Sequence, residues 1–260
     1  MKYFCLNKSK LLKLFLLTVS LHVSLLANAA WEKTANGMKA NHSEELLSVT
    51  FVNKDVVRIQ YVPEGEFVGN DTNILVDYEP SKVKIKYIDT EESVSMKTEN
   101  LLVKVLKSSG AVQIYSSDGK LLLSEDPLKP RTTEQIEIRN VVYDDSNSVI
   151  EKTANGDVKI SNIVSDQPVG KAWKAVVDYK WQDGAALYGL GSHQEPHYNL
   201  RGTMQYLYQH NLKATVPVLM SSLGYGLLFN VGSTMEFHDD AASSYMQMNA
   251  VNSVDYFFMY

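Results

Sequence analysis

The residues able to do chemistry gather between His193 and Asn211 and again at His238-Asp239-Asp240. His193-Gln194-Glu195-Pro196-His197 sets two histidines around a carboxylate, superficially like a zinc-protease helix. That chemistry needs both imidazoles on one helical face and a glutamate directly after the first histidine, and Pro196 forbids the helix. Loop histidines that bond locally, or that point at a ligand, fit better. His238-Asp239-Asp240 reads as a solvated turn, so no metal site is expected. Gly189-Leu190-Gly191 has Gln194 where a dinucleotide cradle would place its third glycine, and no helix follows. These glycines are expected instead to let a strand bend or another backbone approach, and no cofactor is expected. No G-x-S-x-G nucleophile elbow occurs. The acidic pairs Glu44-Glu45, Glu91-Glu92 and Asp144-Asp145 would face opposite ways on a strand, which suits surface charge rather than a catalytic pair.

What remains is a polar and aromatic cluster: Tyr198, Asn199, Arg201, Tyr206, Tyr208, Gln209, His210 and Asn211. Aromatic faces stack on sugar rings, while amides, imidazole and guanidinium bond hydroxyls, so the mixture suits carbohydrate. Alternating tyrosines on a strand are equally compatible with half-buried packing, and both readings stand at this point.

The elements that would position this cluster are strands. From Trp31 onward the chain shows alternation and short β-branched runs between turn residues, with almost no helical period. Leu46 to Val52 and Val56 to Val62 form a hairpin across Asn53-Lys54-Asp55, followed by Val83 to Ile88, Val94 to Thr98 and Leu101 to Leu106. Asp118-Gly119 supplies the positive φ of a tight hairpin between Val112 to Tyr115 and Leu121 to Leu123. Pro127 and Pro130 suggest a long connection before the strands resume at Ile136 to Tyr143, Val149 to Lys152, Val158 to Ile163 and Trp173 to Trp181. Met204 to Gln209, Val216 to Ser221, Gly226 to Asn230, Tyr245 to Met248 and Asp255 to Tyr260 complete the series. The fold class is all-β, a large antiparallel sandwich or barrel. The hexapeptide Glu-Lys-Thr-Ala-Asn-Gly occurs at Glu32 to Gly37 and at Glu151 to Gly156, each copy reading as a turn rather than as part of a structural repeat.

Composition narrows the class further. The chain has 260 residues, 45% of them hydrophobic, enough for a substantial core. Lys2, Lys8, Lys10 and Lys13, the apolar stretch Leu14 to Leu26 and Ala27-Asn28-Ala29 make a secretory signal peptide over residues 1–29, too short for a membrane anchor. Secretion is expected, into the periplasm of a bacterium. Without the four leader lysines the formal charge goes from −5 to −9, an unpromising surface for nucleic acid. The single cysteine, Cys5, lies in the leader, so the mature chain must be held by its core rather than by disulfides. Asn41-His42-Ser43 and Asn70-Asp71-Thr72 match the glycosylation sequon and carry no weight as isolated tripeptides.

Three segments together resemble glycoside hydrolase family 31, the α-glucosidase and α-xylosidase family. They are Leu187-Tyr188-Gly189-Leu190-Gly191, Asn199-Leu200-Arg201-Gly202, and Val216-Pro217-Val218-Leu219-Met220-Ser221-Ser222 with Gly224-Tyr225-Gly226-Leu227-Leu228-Phe229-Asn230. The form Gly189 to Gln194 is more similar to the α-xylosidase-type branches, although Ser192 stands where many members carry glutamate. The resemblance implies a galactose-mutarotase-like sandwich over residues 30–253. The aromatic run at residues 254–260 would then begin the family's (β/α)8 catalytic barrel, absent from this sequence. It further implies a retaining enzyme acting on oligosaccharide or polysaccharide, with both catalytic carboxylates in that barrel and none in these residues. The sandwich of such enzymes lends a loop to the substrate pocket, which here implies contacts from Tyr208, Gln209, His210 and Asn211. Two other classes remain open. One is a freestanding carbohydrate-binding module; the other is an aldose 1-epimerase using His193, Glu195, His197 or His210.

Overall fold

The structure is a computed structural model that describes residues 30–42, 45–67, 74–76, 78–154, 156–194 and 197–260. The leader, both sequons in whole or part, and Glu195 lie outside the described residues. Eighteen strands and no helix occur among them. They are β1 (Ala30–Thr34), β2 (Gly37–His42), β3 (Glu45–Asn53), β4 (Val56–Val62), β5 (Lys86–Asp89), β6 (Ser93–Lys97), β7 (Leu101–Leu106), β8 (Val112–Ser116) and β9 (Leu121–Ser124). The second half holds β10 (Arg131–Thr153), β11 (Gly156–Asp178), β12 (Leu187–Ser192), β13 (Met204–Leu207), β14 (Ala214–Ser221), β15 (Tyr225–Phe229), β16 (Met235–Asp239), β17 (Ser244–Val251) and β18 (Val254–Met259).

One layer is an eight-stranded sheet in the order β1-β2-β3-β4-β18-β15-β14-β12. The opposite layer is made of two five-stranded sheets, β5-β6-β7-β8-β9 and β10-β11-β17-β16-β13, joined by a bridge between Glu125 and Tyr179. All named strand pairs are antiparallel, and the alternating inward residues of the three sheets merge into one core. Phe51, Ile59, Met96, Ile114, Phe229, Phe237 and Phe258 are fully buried there. Each such side chain contributes about 1.5–3 kcal/mol on leaving water. The expected antiparallel sandwich is therefore what the chain forms.

The aromatic run at residues 254–260 has its place in this layer. Strand β18 lies between β4 and β15 in the eight-stranded sheet, with Tyr256 and Phe258 in the core. Its other face is also covered. Asp255 receives Arg58 Nε at 2.9 Å, Arg58 Nη2 at 2.6 Å and Asn230 Nδ2 at 2.7 Å, while Tyr78 meets Phe257 edge-on. A strand buried on both faces needs no alternation, and this one shows none.

Both Thr-Ala-Asn-Gly segments close hairpins, with Thr34 paired to Gly37 and Thr153 to Gly156. The connection through Pro127 and Pro130 is short, not long. Asp126 Oδ1 accepts the amides of Leu128 and Lys129 at 2.8 and 3.2 Å, a local turn that brings Glu125 and Arg131 together. The four separate strands expected between Ile136 and Trp181 are two strands, β10 and β11, paired over nearly their whole length with register shifts at three places. Those irregularities break the alternation and so imitate strand ends in the sequence.

Candidate functional site

Strand β12 stands at one end of the eight-stranded sheet and β13 at one end of a five-stranded sheet, and the polar and aromatic cluster lies in the segment joining them, on β13 itself and in the turn leading on to β14. The first anchor is the Asn199-Leu200-Arg201-Gly202 motif. Asn199 Oδ1 accepts the amides of Leu187 and Arg201 at 3.0 and 3.2 Å. Arg201 Nε donates to Asp239 Oδ2 at 2.9 Å and Nη1 to the carbonyl of Ala185 at 3.2 Å. Gly202, at a φ of +75°, adds its amide to the same carboxylate oxygen at 2.7 Å. The motif thus ties the start of β12 to the end of β16, with the Asn199 amide oxygen and the Arg201 guanidinium both bonded within the fold.

The glycine pair has the role its residue type suggests. A methyl group on Gly189 would sit 2.4 Å from the carbonyl oxygen of Val218, and one on Gly191 would sit 2.0 Å from that of Ala214. Both glycines have φ above +100°, and Leu190 between them has φ 59° with its side chain fully buried. The pairs Gly189 with Leu219 and Gly191 with Thr215 bracket a bulge in which Pro217 sits, where a residue without an amide proton costs least. The bulge turns the chain toward His193, whose Nε2 donates to the carbonyl of Leu190 at 2.7 Å. Beyond it, Tyr188, Ser192, His193, Gln194, Tyr198 and Gln205 line a recess of about 340 Å³.

Strand β13 then presents a row of rings. Its inward residues Gln205 and Leu207 are buried while Met204 and Tyr206 face out; past the strand's end Tyr208, Gln209 and His210 are all exposed. Ring centroids lie 6.2 Å apart for Tyr206 and Tyr208 and 5.8 Å for Tyr208 and His210. Tyr206 and Tyr208 keep 45% and 49% of their surface exposed, enough for a planar ligand to lie on them. The loop that ends the row is held by Gln209, whose Nε2 donates to the carbonyl of Lys213 at 2.6 Å and whose Oε1 accepts the amide of Thr215 at 3.2 Å. Lys213 closes the turn on the carbonyl of His210 at 3.1 Å, with Leu212 at φ 68°. Asn211 sits exposed within that turn.

Of the four residues expected to touch substrate, the fold therefore places Tyr208 and His210 side by side on the exposed row. Asn211 is exposed in the turn, and Gln209, itself exposed, clamps the loop through its two hydrogen bonds to Lys213 and Thr215. Met204 and Tyr206 extend the same row and were visible in the sequence as continued alternation. Tyr188 and Gln205 join through the sheet edges, which no local spacing reveals. His238 and the adjacent aspartates separate into two roles. Asp239 holds Arg201, whereas Asp240 pairs with His238 at 2.8 Å as that imidazole stacks on Tyr245. The amide of Ser243, the imidazole of His238 and the amide of Ala242 hold the Asp240 carboxyl down at about 2.

Two antiparallel layers, a glycine bulge at one sheet edge and an exposed ring row at the other define a galactose-mutarotase-like sandwich. Solved structures share it. An α-xylosidase from a soil metagenome, complexed with xylose, superposes with a TM-score of 0.65 at 22% identity over 89% of this chain and 32% of its own. A dextranase from Flavobacterium johnsoniae, complexed with glucose, gives 0.65 at 20% identity over 90% of this chain and 26% of its own. The model of the glycosyl hydrolase 31 N-terminal galactose mutarotase-like domain matches residues 46–238, and the chain belongs to that family. A family 31 glucosidase of uncharacterized role from Pseudescherichia vulneris is 28% identical over 196 residues, 75% of this chain and 35% of the relative. Alpha-glucosidase 2 of Bacillus thermoamyloliquefaciens is 34% identical over 80 residues, 31% of this chain and 10% of that enzyme. The chain thus spans about a third of the first relative's length and a tenth of the second's.

Proposed function

We propose that this chain is the N-terminal sandwich of a secreted, retaining α-glycosidase of α-xylosidase or α-glucosidase type, with the chemistry carried by an adjoining barrel. In such an enzyme one carboxylate attacks the anomeric carbon. The other protonates the leaving oxygen and then activates water, which requires the two about 5 Å apart. The sandwich supplies no such pair in this reading. Its contribution is a preformed wall: Tyr208 stacks on a sugar ring, His210 and Asn211 bond hydroxyls, and Gln209 fixes the loop that carries them. The leader at residues 1–29 supports export, to the periplasm of a bacterium.

The single observation that carries this reading is the exposed row Tyr206, Tyr208 and His210 on a clamped loop in a family 31 sandwich. The same row favours a second reading, a binding module that works alone. Calorimetry of the chain with xyloglucan fragments and malto-oligosaccharides separates the two. A wall that needs its barrel gives no heat of binding, whereas an independent module binds without it.

A further inference from the structure

Strands β1–β4 pair in chain order, and so do β5–β9 in the opposite layer, so each of these pairs closes between neighbouring segments. β18 is different. It is the last of the described strands, yet it stands inside the eight-stranded sheet, with β4 on one side and β15 on the other. Among the described strands, its pairing with β4 is the only one that joins any of β1–β9 to any of β10–β18. Arg58 and Asp255, which meet across that pairing, are 197 residues apart in the chain. Contacts that close so long a loop lose more chain entropy than local hairpins and form after them.

The slot that β18 fills is specific in register and in charge. Residues 254–258 are each at most 5% exposed. Val254 pairs with Tyr61 and Met259 with Val56 on one side, while Tyr256 pairs with Phe229 and Met259 with Gly226 on the other. On the core face Phe258 stacks on Tyr225 with ring centroids 5.1 Å apart. On the opposite face the Asp255 carboxylate is held from both sides, by Arg58 on β4 and by Asn230 just after β15. A slip of one residue exchanges the two faces, which would put that carboxylate into the core and take it away from Arg58. β18 and the walls of its slot are interior, whatever covers the outer surface.

We propose that β18 is a closing strand. Until residues 254–259 enter, the layer remains in two halves, β1–β4 and β15–β14–β12, with an open slot that accepts an extended segment bearing a carboxylate opposite Arg58. The second half carries the glycine bulge, so the edge beside the ring row is joined to the rest of its layer only when β18 is in place. The same charge rejects wrong segments, because a strand without the acid leaves the guanidinium buried without a counter-charge.

Pulsed hydrogen exchange during refolding of the intact chain tests the order. Amides of β6–β8 are expected to gain protection first, and those bonded between β18 and β4 or β15 about tenfold or more later. Complementation tests the slot. The full-length variant Tyr256→Asp with Phe258→Asp is expected to lose protection along the facing edges of β4 and β15, and a synthetic peptide of residues 253–260 to restore it. The same peptide with Asp255→Asn is expected to bind about 100-fold more weakly. Protection of β18 together with β6–β8 overturns the proposal. So do a variant whose facing edges stay protected without peptide, a peptide that restores nothing, and equal binding of the two peptides.

Discussion

Glu125 and Arg131 form an ion pair at 2.8 Å with both side chains almost wholly removed from solvent, at the point where the three sheets meet. Glu125 also accepts the amide of Val112 at 2.7 Å and the hydroxyl of Tyr256 at 2.8 Å, while Arg131 donates to the carbonyl of Gly110 and stacks on Tyr61. One carboxylate therefore ties β8, β10 and β18 together. Burial pushes its protonation upward, against the downward pull of Arg131 and its hydrogen bonds.

Removing one partner of such a pair leaves the other charge buried. Arg131→Met is expected to cost about 3–5 kcal/mol in denaturant unfolding, and Glu125→Gln with Arg131→Met is expected to cost less than the sum of the single changes. Additive costs would mean that the two side chains act independently.

Gly191 and Gly119 separate clash from backbone strain. Both have φ near +100°, but a methyl group at Gly119 meets open space whereas one at Gly191 runs into the Ala214 carbonyl. Gly119→Ala is expected to cost about 1–3 kcal/mol from conformation alone. Gly191→Ala should exceed it and weaken the β12–β14 edge, read by hydrogen exchange. Equal costs for the two would show that the close approach at β14 is not maintained in solution.

Acid should weaken the turn at Asp240. Its carboxyl is lowered from 3.8 to about 2 in the folded chain, so its contribution is complete above the ordinary value and disappears as pH falls toward 2. The melting temperature of Asp240→Asn is expected to lie below that of the unmodified chain at about pH 5 and to converge with it near the folded value. A constant difference across that range would remove the carboxylate from the explanation.

The ring row can be tested in the full-length enzyme that the proposed function implies. Tyr208→Ala is expected to raise KM by about 2- to 10-fold, the equivalent of an aromatic contact of about 0.5–1.5 kcal/mol, while Tyr208→Phe keeps the ring and largely restores binding. Gln209→Ala should disturb KM more, because it frees both ends of the loop clamp. An unchanged KM in Tyr208→Ala would take the row out of the pocket.

Much of this architecture was legible in the sequence, for local reasons. Alternation located β3, β4, β7 and β8 to within a residue or two, and Asp118-Gly119 located their neighbouring turn, because period and turn chemistry are properties of adjacent residues. The Gly189 and Gly191 bulge followed from the freedom that only glycine has. Less was legible where meaning depends on distant partners. Nothing near Glu125 announces that Tyr256 and Val112 will meet it. Asn199 and Arg201 resembled ligand groups because their true acceptors and donors, Asp239 and Leu187, lie elsewhere in the chain. The bulged β10–β11 hairpin reads as four strands for the same reason, since its continuity is set by the partner strand.

The central claim is that this sandwich shapes a sugar site without carrying the chemistry. Incubating the purified chain with aryl α-xylosides and aryl α-glucosides and following release of the aryl alcohol tests it most directly. The account expects no release above the buffer rate; turnover that follows the purified chain through its final column would contradict it.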